Sequence, residues 1–340
     1  MRDWVSPFAC ALMACAAIVS HPAISVAGEL HLQPGIFSDP GFEPKLTFGT
    51  SVSHVSGAAH EFVYTNGGTY KLSELDWQIN DVMMLNAAVG VRLTPWLAFT
   101  VDGGTKLSGS SHMDDYDWLK PGRDWDHWSQ SPDTAVKSAV RLDAAANLSL
   151  YRHPHFSVDA IGGLRWNMWE FQANGGNYIY SSSTGFRDQV GSFPAGQAGI
   201  TYKQSLLTPY VGLALNANLG RLTLDATVLG SAWSFAHDYD QHHLRQDIST
   251  SGGLFQDMMR NQDYLDLKFG GSYRFDDRIV FNANWERETY RLTKGSTTIS
   301  SIGSGVNGTG GTQLGSIAEP AAGLDNQTER YTVGLTYSLN

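Results

Sequence analysis

Two short residue pairs in this chain carry chemistry: Asp115 and Asp117, separated by Tyr116, and Asp240 and His242, separated by Gln241. In an extended strand, residues two apart share a face, so each pair presents both functional groups in one direction. Two carboxylates held close repel, which raises their joint affinity for a proton or for a water whose hydrogens both accept. A carboxylate beside an imidazole fixes its tautomer and favours its protonated form, each pKa unit being worth about 1.36 kcal/mol. Brought face to face, the four groups could hold a water, take its proton and aim it at a carbonyl. Such general-base assistance is worth about 10²–10⁴-fold. No activated serine or cysteine is required.

The plainer readings are solvated loop acids, or a calcium site built from oxygen ligands. His237, His242 and His243 also invite a zinc reading, but no regular spacing with a third partner accompanies them, so no metal is expected. The segment around the first pair, Ser108 to Thr134, also contains Asp114, Asp124, Asp126 and Asp133, with Lys120 and Arg123 as its cations. Its aromatic rings, Tyr116, Trp118, Trp125 and Trp128, are expected to shape the mouth of a site whose acids attract positive substrates.

The whole chain leans the same way. A formal net charge of -10 over 340 residues makes nucleic acid an improbable partner and cationic peptides or proteins suitable ones. At the N-terminus, Arg2, the apolar run Val5–Val19 and the small-residue site Ser25-Val26-Ala27 read as a signal peptide over residues 1–27, leaving 28–340 as the exported domain. Both cysteines, Cys10 and Cys15, fall inside that leader. The exported chain is then expected to use no disulfide and no thiol.

What must position the pairs is a set of alternating strands. Val89, Val91 and Leu93 lead into a turn at Thr94-Pro95, and Leu97, Phe99 and Val101 lead out. The same figure recurs around Tyr151–His155, Asn218–Arg221 and Asp276–Arg278, giving four tight hairpins. Polar stretches near 58–70, 105–136, 172–200, 234–262 and 287–328 read as five longer loops, and Tyr331 to Leu339 as a last strand. With strands near 45–57 and 71–90 the count reaches ten. An even number of alternating strands, short turns at one end and long loops at the other describes an all-β fold, a ten-stranded antiparallel transmembrane β-barrel whose long loops face outward. Outer-membrane lipid is then a partner. About 16–18 strands are needed for an open channel, so chemistry is expected at the outer rim and not in a pore.

Several longer segments resemble the omptin family of outer-membrane aspartate/histidine endopeptidases: "SGAAHEFVY" from Ser56, "YKLSELDW" from Tyr70, "DDYDW" from Asp114, "YIYSSSTGFRDQVGSFP" from Tyr178 and "DYDQH" from Asp238. They occur in the family's order across most of the chain. The resemblance implies a ten-stranded barrel with its active site at the extracellular mouth. It implies His242 as general base, Asp240 as the group that orients it, and Asp115 with Asp117 holding the water and stabilising the tetrahedral intermediate. It implies cleavage beside Arg or Lys, with Glu61 and Asp238 lining the pocket for the residue before the cut. The acid that the family places after the cut falls near Asp126 or His127. The family also binds lipopolysaccharide as an activator through cationic and polar exterior residues. Here those positions are Leu164, Trp166, Met168 and Ser205, with Arg260 retaining a charge, which argues against lipopolysaccharide dependence. The competing reading is a catalytically silent barrel that binds partners through its loops, as an adhesin does.

Overall fold

The structure is a computed structural model that describes residues 43–339; the expected leader, with Cys10 and Cys15, lies outside the described residues. Ten antiparallel strands close into one barrel in the order β1-β10-β9-β8-β7-β6-β5-β4-β3-β2. They are β1 (Lys45–Thr65), β2 (Tyr70–Thr94), β3 (Leu97–Asp117), β4 (His127–His153), β5 (Phe156–Tyr180), β6 (Gln189–Leu219), β7 (Leu222–His242), β8 (Gly253–Arg274), β9 (Ile279–Ser301) and β10 (Gln313–Leu339). Closure pairs β1 with β10 from Leu46↔Leu339 to Val63↔Ala322, so the sheet has no open edge in lipid.

The four tight turns fall where the alternation places them, at 95–96, 154–155, 220–221 and 275–278. The polar stretches differ from expectation. Most of each one continues the strands, and the connections at the other end shrink to 66–69, 118–126, 181–188, 243–252 and 302–312. The reason is physical: above the lipid a strand needs no apolar outer face, so its hydrogen-bonded ladder continues while its sequence turns polar on both sides.

In the lower half, one side of each strand is apolar and exposed, as Phe99 and Val101 on β3 and Leu222, Leu224 and Val228 on β7 show. This is the lipid-facing band. Higher up, bulges invert the alternation. On β7, even-numbered Leu224 and Val228 face out, but after an irregularity between Ser231 and Ser234 the outward residues become Trp233 and Phe235. Even-numbered Ser234, Ala236, Asp238 and Asp240 then turn inward and are buried. On β3, outward Phe99, Val101 and Leu107 give way to inward Ser111 and Met113 past a register shift facing Met83 and Met84. One extra residue exchanges the two faces of everything that follows. Without these bulges both pairs identified from the sequence would point away from the lumen.

The lumen is filled. At mid-height Arg165 bonds Asp143 at 2.5 Å and Asp266 at 2.7 Å, and also reaches Glu288 and Tyr264. Arg141 grips Glu286 through both guanidinium ends at 2.9 and 2.8 Å. Above this ionic layer, Trp77, Phe171 and Tyr202 stack, with Trp77 and Tyr202 only 8° from parallel at 5.2 Å. Met84, Met113 and Trp169 complete that apolar floor under the mouth.

Candidate active site

Asp115 and Asp117 end β3, and Asp240 and His242 end β7, so both pairs stand at the same end of the barrel, above the lipid-facing band. The ladder sets their neighbours. Asp115 pairs with Leu75 on one side and Ser129 on the other, and Leu75 in turn pairs with Glu61. Directly paired residues share a face, so Glu61 and Asp115 enter the lumen on one wall. Asp240 pairs with Tyr202 and Phe255 on the opposite wall. β3 and β7 are separated by three strands on the shorter path around the ring, so the two pairs look at each other across the mouth.

His242 Nε2 is bonded to Asp240 Oδ2. That leaves Nδ1 for a water or substrate. The edge-on ring of Phe255, 5.4 Å away at 75°, packs against the imidazole. Ser73 donates to Asp115 at 3.5 Å, tying the acid to β2. Burial pushes the Asp115 carboxyl well above the usual carboxylate range; Asp117 adds to the rise and His242 opposes it. Asp117 is also raised, chiefly by burial, against the pull of Ser73 and of the nearby His127, His242 and Arg245. For His242, burial works against the charged ring, but the charge and hydrogen bond of Asp240, with Asp115 behind them, prevail and raise its pKa above 6.5. The imidazole and the aspartate pair therefore sense each other's charge, as a shared water requires.

Beside this cleft lies a second acidic group. Glu61 and Asp238, the two pocket residues expected from the sequence, are joined by Asp257 of β8, which the sequence reading missed. One carboxylate oxygen from each lies within 4.8 Å of the others. Asp238 Oδ1 accepts the Asp257 backbone N–H at 3.1 Å, and its Oδ2 accepts Tyr202 Oη–H at 3.2 Å. Burial raises both Glu61 and Asp238 well above their ordinary values, with the neighbouring acids contributing in the same direction. Burial likewise carries Asp257 up to about 7. The signal for Asp257 was hidden because 234–262 reads as loop, where strand parity cannot be applied.

The histidines do not converge as a zinc reading requires. His237 packs on Tyr239 at 4.4 Å and His243 meets Thr201 Oγ1 at 2.9 Å, whereas His242 is bonded to Asp240. The acids of the Ser108–Thr134 segment also part company. Asp114 accepts Trp128 Nε1–H at 3.1 Å, and Asp124 pairs with Arg187 at 2.9 Å. The aromatic rings do not line the mouth: Tyr116 and Trp128 pair across β3 and β4 on the outer wall, with Trp118 and Trp125 against Tyr116. Strand parity forces this for Tyr116 and Trp128, since strand rings adjacent to inward residues must point outward. Of the two residues considered for the position after the cut, Asp126 is fully buried and its Oδ1 accepts the Leu119 N–H at 2.8 Å, so it braces the loop. His127 pairs directly with Asp117 and packs on Tyr180 at 4.7 Å, inside the mouth. On the exterior, Leu164 is exposed, Trp166 Nε1–H donates to Ser205 at 2.7 Å, and Arg260 leans on Met258 at 3.7 Å.

Fold and site together define a transmembrane β-barrel with a histidine and buried acids at one mouth. Comparison with known proteins gives the family. Residues 43–339 match the model of the Omptin family, and the chain belongs to it. It is 30% identical over 329 residues to Protease 7 of Escherichia coli O157:H7, covering 95% of this chain and 98% of the relative. It is 29% identical over 313 residues to the plasminogen activator of Yersinia pestis, covering 92% and 93%. The crystal structure of the outer membrane protease OmpT from Escherichia coli superposes with a TM-score of 0.78 at 27% identity, over 86% of this chain and 96% of that one. The protein is thus an outer-membrane barrel among relatives named as proteases.

Proposed function

We propose that the protein is an endopeptidase that hydrolyses peptide bonds beside Arg or Lys in cationic peptides and proteins, with its site facing outward from the cell. The observation that carries this reading is the Asp240–His242 hydrogen bond set opposite the Asp115–Asp117 pair in a closed mouth. A water between the two walls gives up a proton to His242 while Asp240 holds the ring in place. Attack on the carbonyl follows, and His242 then passes the proton to the departing amine. Asp115 and Asp117, whose proton affinity burial raises, hold the attacking water and help stabilise the tetrahedral intermediate. Glu61 and Asp238 receive the basic side chain before the cut. His127 occupies the far side of the mouth, so an acid-lined pocket after the cut is not expected there. Of the exterior positions that the resemblance assigns to lipopolysaccharide, Leu164, Trp166, Met168 and Ser205 carry no charge and Arg260 does, so the enzyme is proposed to act without that lipid.

A quenched Arg-Arg peptide tests this. The refolded protein should raise fluorescence by cutting the dibasic bond, and Asp115→Asn should abolish the rise while leaving circular dichroism unchanged. A wild-type barrel that binds the peptide without cutting it would favour the adhesin reading.

A further inference from the structure

We propose that Asp257 is the third carboxylate of the pocket that takes the basic side chain before the cut, and that it makes this pocket selective for a guanidinium over an ammonium. The inference rests on the protease reading above and adds a specificity-determining residue to it.

Three observations support it. Glu61, Asp238 and Asp257 come from three different strands, β1, β7 and β8, yet their oxygens lie within 4.8 Å of one another. All three are sealed from solvent, at 1%, 0% and 1% exposure. Their hydrogen bonds are divided unequally. Asp238 has both oxygens engaged, by the Asp257 N–H and by Tyr202, so it is fixed in place. Glu61 Oε2 and Asp257 Oδ1 are buried without a hydrogen bond of good geometry, the Thr297 hydroxyl alone lying close enough to Asp257 to favour its charge. A buried acceptor without a donor is costly, and two of them converging on one spot mark a position that a donor-rich group is meant to fill.

The shape of that group follows from its surroundings. Two free acceptors come from different strands, with the fixed carboxyl of Asp238 beside them. A planar guanidinium spreads five N–H donors in a fork and can reach separate acceptors at once. It is also more weakly hydrated than an ammonium, so it gives up less on entering a dry pocket. Lysine brings a compact, strongly hydrated charge that must be stripped of water to reach the same oxygens. An Asp257 side chain that lost its charge would leave Glu61 as the single open acceptor with a charge, and the advantage of the fork would shrink.

The test compares two peptides that differ only in arginine or lysine before the cut, with wild type, Asp257→Asn and Asp257→Ser. For Asp257→Asn, kcat/KM on the arginyl peptide should fall about ten- to a hundredfold, the range for losing a hydrogen bond to a charged partner. The loss should sit mainly in KM, because the contact is made equally in the ground and transition states. The lysyl peptide should lose less, so the arginine preference narrows. Asp257→Ser, smaller and free of a misplaced amide donor, should behave alike. Unchanged arginyl KM and an unchanged arginine-to-lysine ratio in a folded variant would overturn the role of Asp257 while leaving the protease reading intact. No cleavage by wild type would overturn both. Should neither variant refold, competitive inhibition of wild type by n-propylguanidinium decides. Asp257 is flanked by Glu61, Tyr202, Asp238 and Asp240, with the Thr297 hydroxyl beside it. With Asp257 titrating at about 7, the inhibitor should bind roughly tenfold more tightly at pH 8 than at pH 6. A flat inhibition constant across that range would contradict the proposal.

Discussion

At mid-lumen, Asp143, Asp266, Glu286 and Glu288 lie against Arg141 and Arg165, with Arg330 also facing Glu286. At the mouth, Glu61, Asp115, Asp117, Asp238, Asp240 and Asp257 gather around His242, with His127 beside Asp117 and Arg245 as a nearby cation. Arg245 itself is bound to Asp247 at 2.8 Å. Most acids of both groups are buried in the same barrel, Asp115 and Asp117 being half-buried, so burial alone does not separate the compensated cluster from the other. Compensation does. The lower acids are answered by guanidinium groups in fixed geometry and serve to close the lumen. The upper acids have no guanidinium bound to them in this way, and it is on them that the proposed chemistry rests. The difference teaches that function sits where the fold declines to neutralise what it buries.

Substitutions in the two regions should have opposite effects, and this gives the comparison its sharpest test. The largest expected change is in rate: Asp115→Asn should lower kcat/KM by about 10²–10⁴-fold with little change in unfolding, since it removes a group from the reacting centre. In the other region, Arg165→Met should cost about 3–5 kcal/mol in denaturant unfolding from detergent micelles, because it strands several carboxylates together. The refolded fraction should nevertheless keep its cleavage rate. Glu61→Gln should do the reverse, stabilising the barrel at pH 8 by on the order of 1 kcal/mol while weakening cleavage of arginyl peptides. Its sign follows from proton linkage. A carboxyl whose pKa is raised in the folded state holds its proton more tightly folded than unfolded, so stability falls as pH rises. For Asp257 that loss spans the interval from the ordinary 3.8 to about 7. The stability of wild type relative to Asp257→Asn should therefore decline between those limits, and a relative rise over the same interval would break the comparison. The smallest effect concerns lipid: cleavage in detergent free of lipopolysaccharide should be within about threefold of that with it, measured by initial rates.

Much of this was legible in the sequence, and the limits have identifiable causes. Period-two apolar runs around Thr94-Pro95 and Asp276–Arg278 placed the hairpins because lipid demands an apolar outer face there. The resemblance at "DDYDW" and "DYDQH" marked the aspartate and histidine pairs. Strand length was not legible, since above the lipid Asp238 and Asp257 sit in segments without any apolar alternation. The direction in which Asp240 points was not legible either. It depends on one extra residue between Ser231 and Ser234, and no residue type there announces a bulge. The rings of Tyr116 and Trp128 were misplaced for the same reason, their side of the wall being set by parity inherited from below.

Catalysis by the uncompensated mouth is best tested through its imidazole. Refolded wild type and His242→Ala should be compared on the same Arg-Arg peptide across pH 5 to 9. The expected result is a wild-type kcat/KM that climbs with pH through a value above 6.5, as His242 loses its proton and becomes a base. His242→Ala should be lower by about 10²–10⁴-fold, with that climb gone. A His242→Ala barrel that cuts the peptide at the wild-type rate, with the same pH profile, would contradict the account.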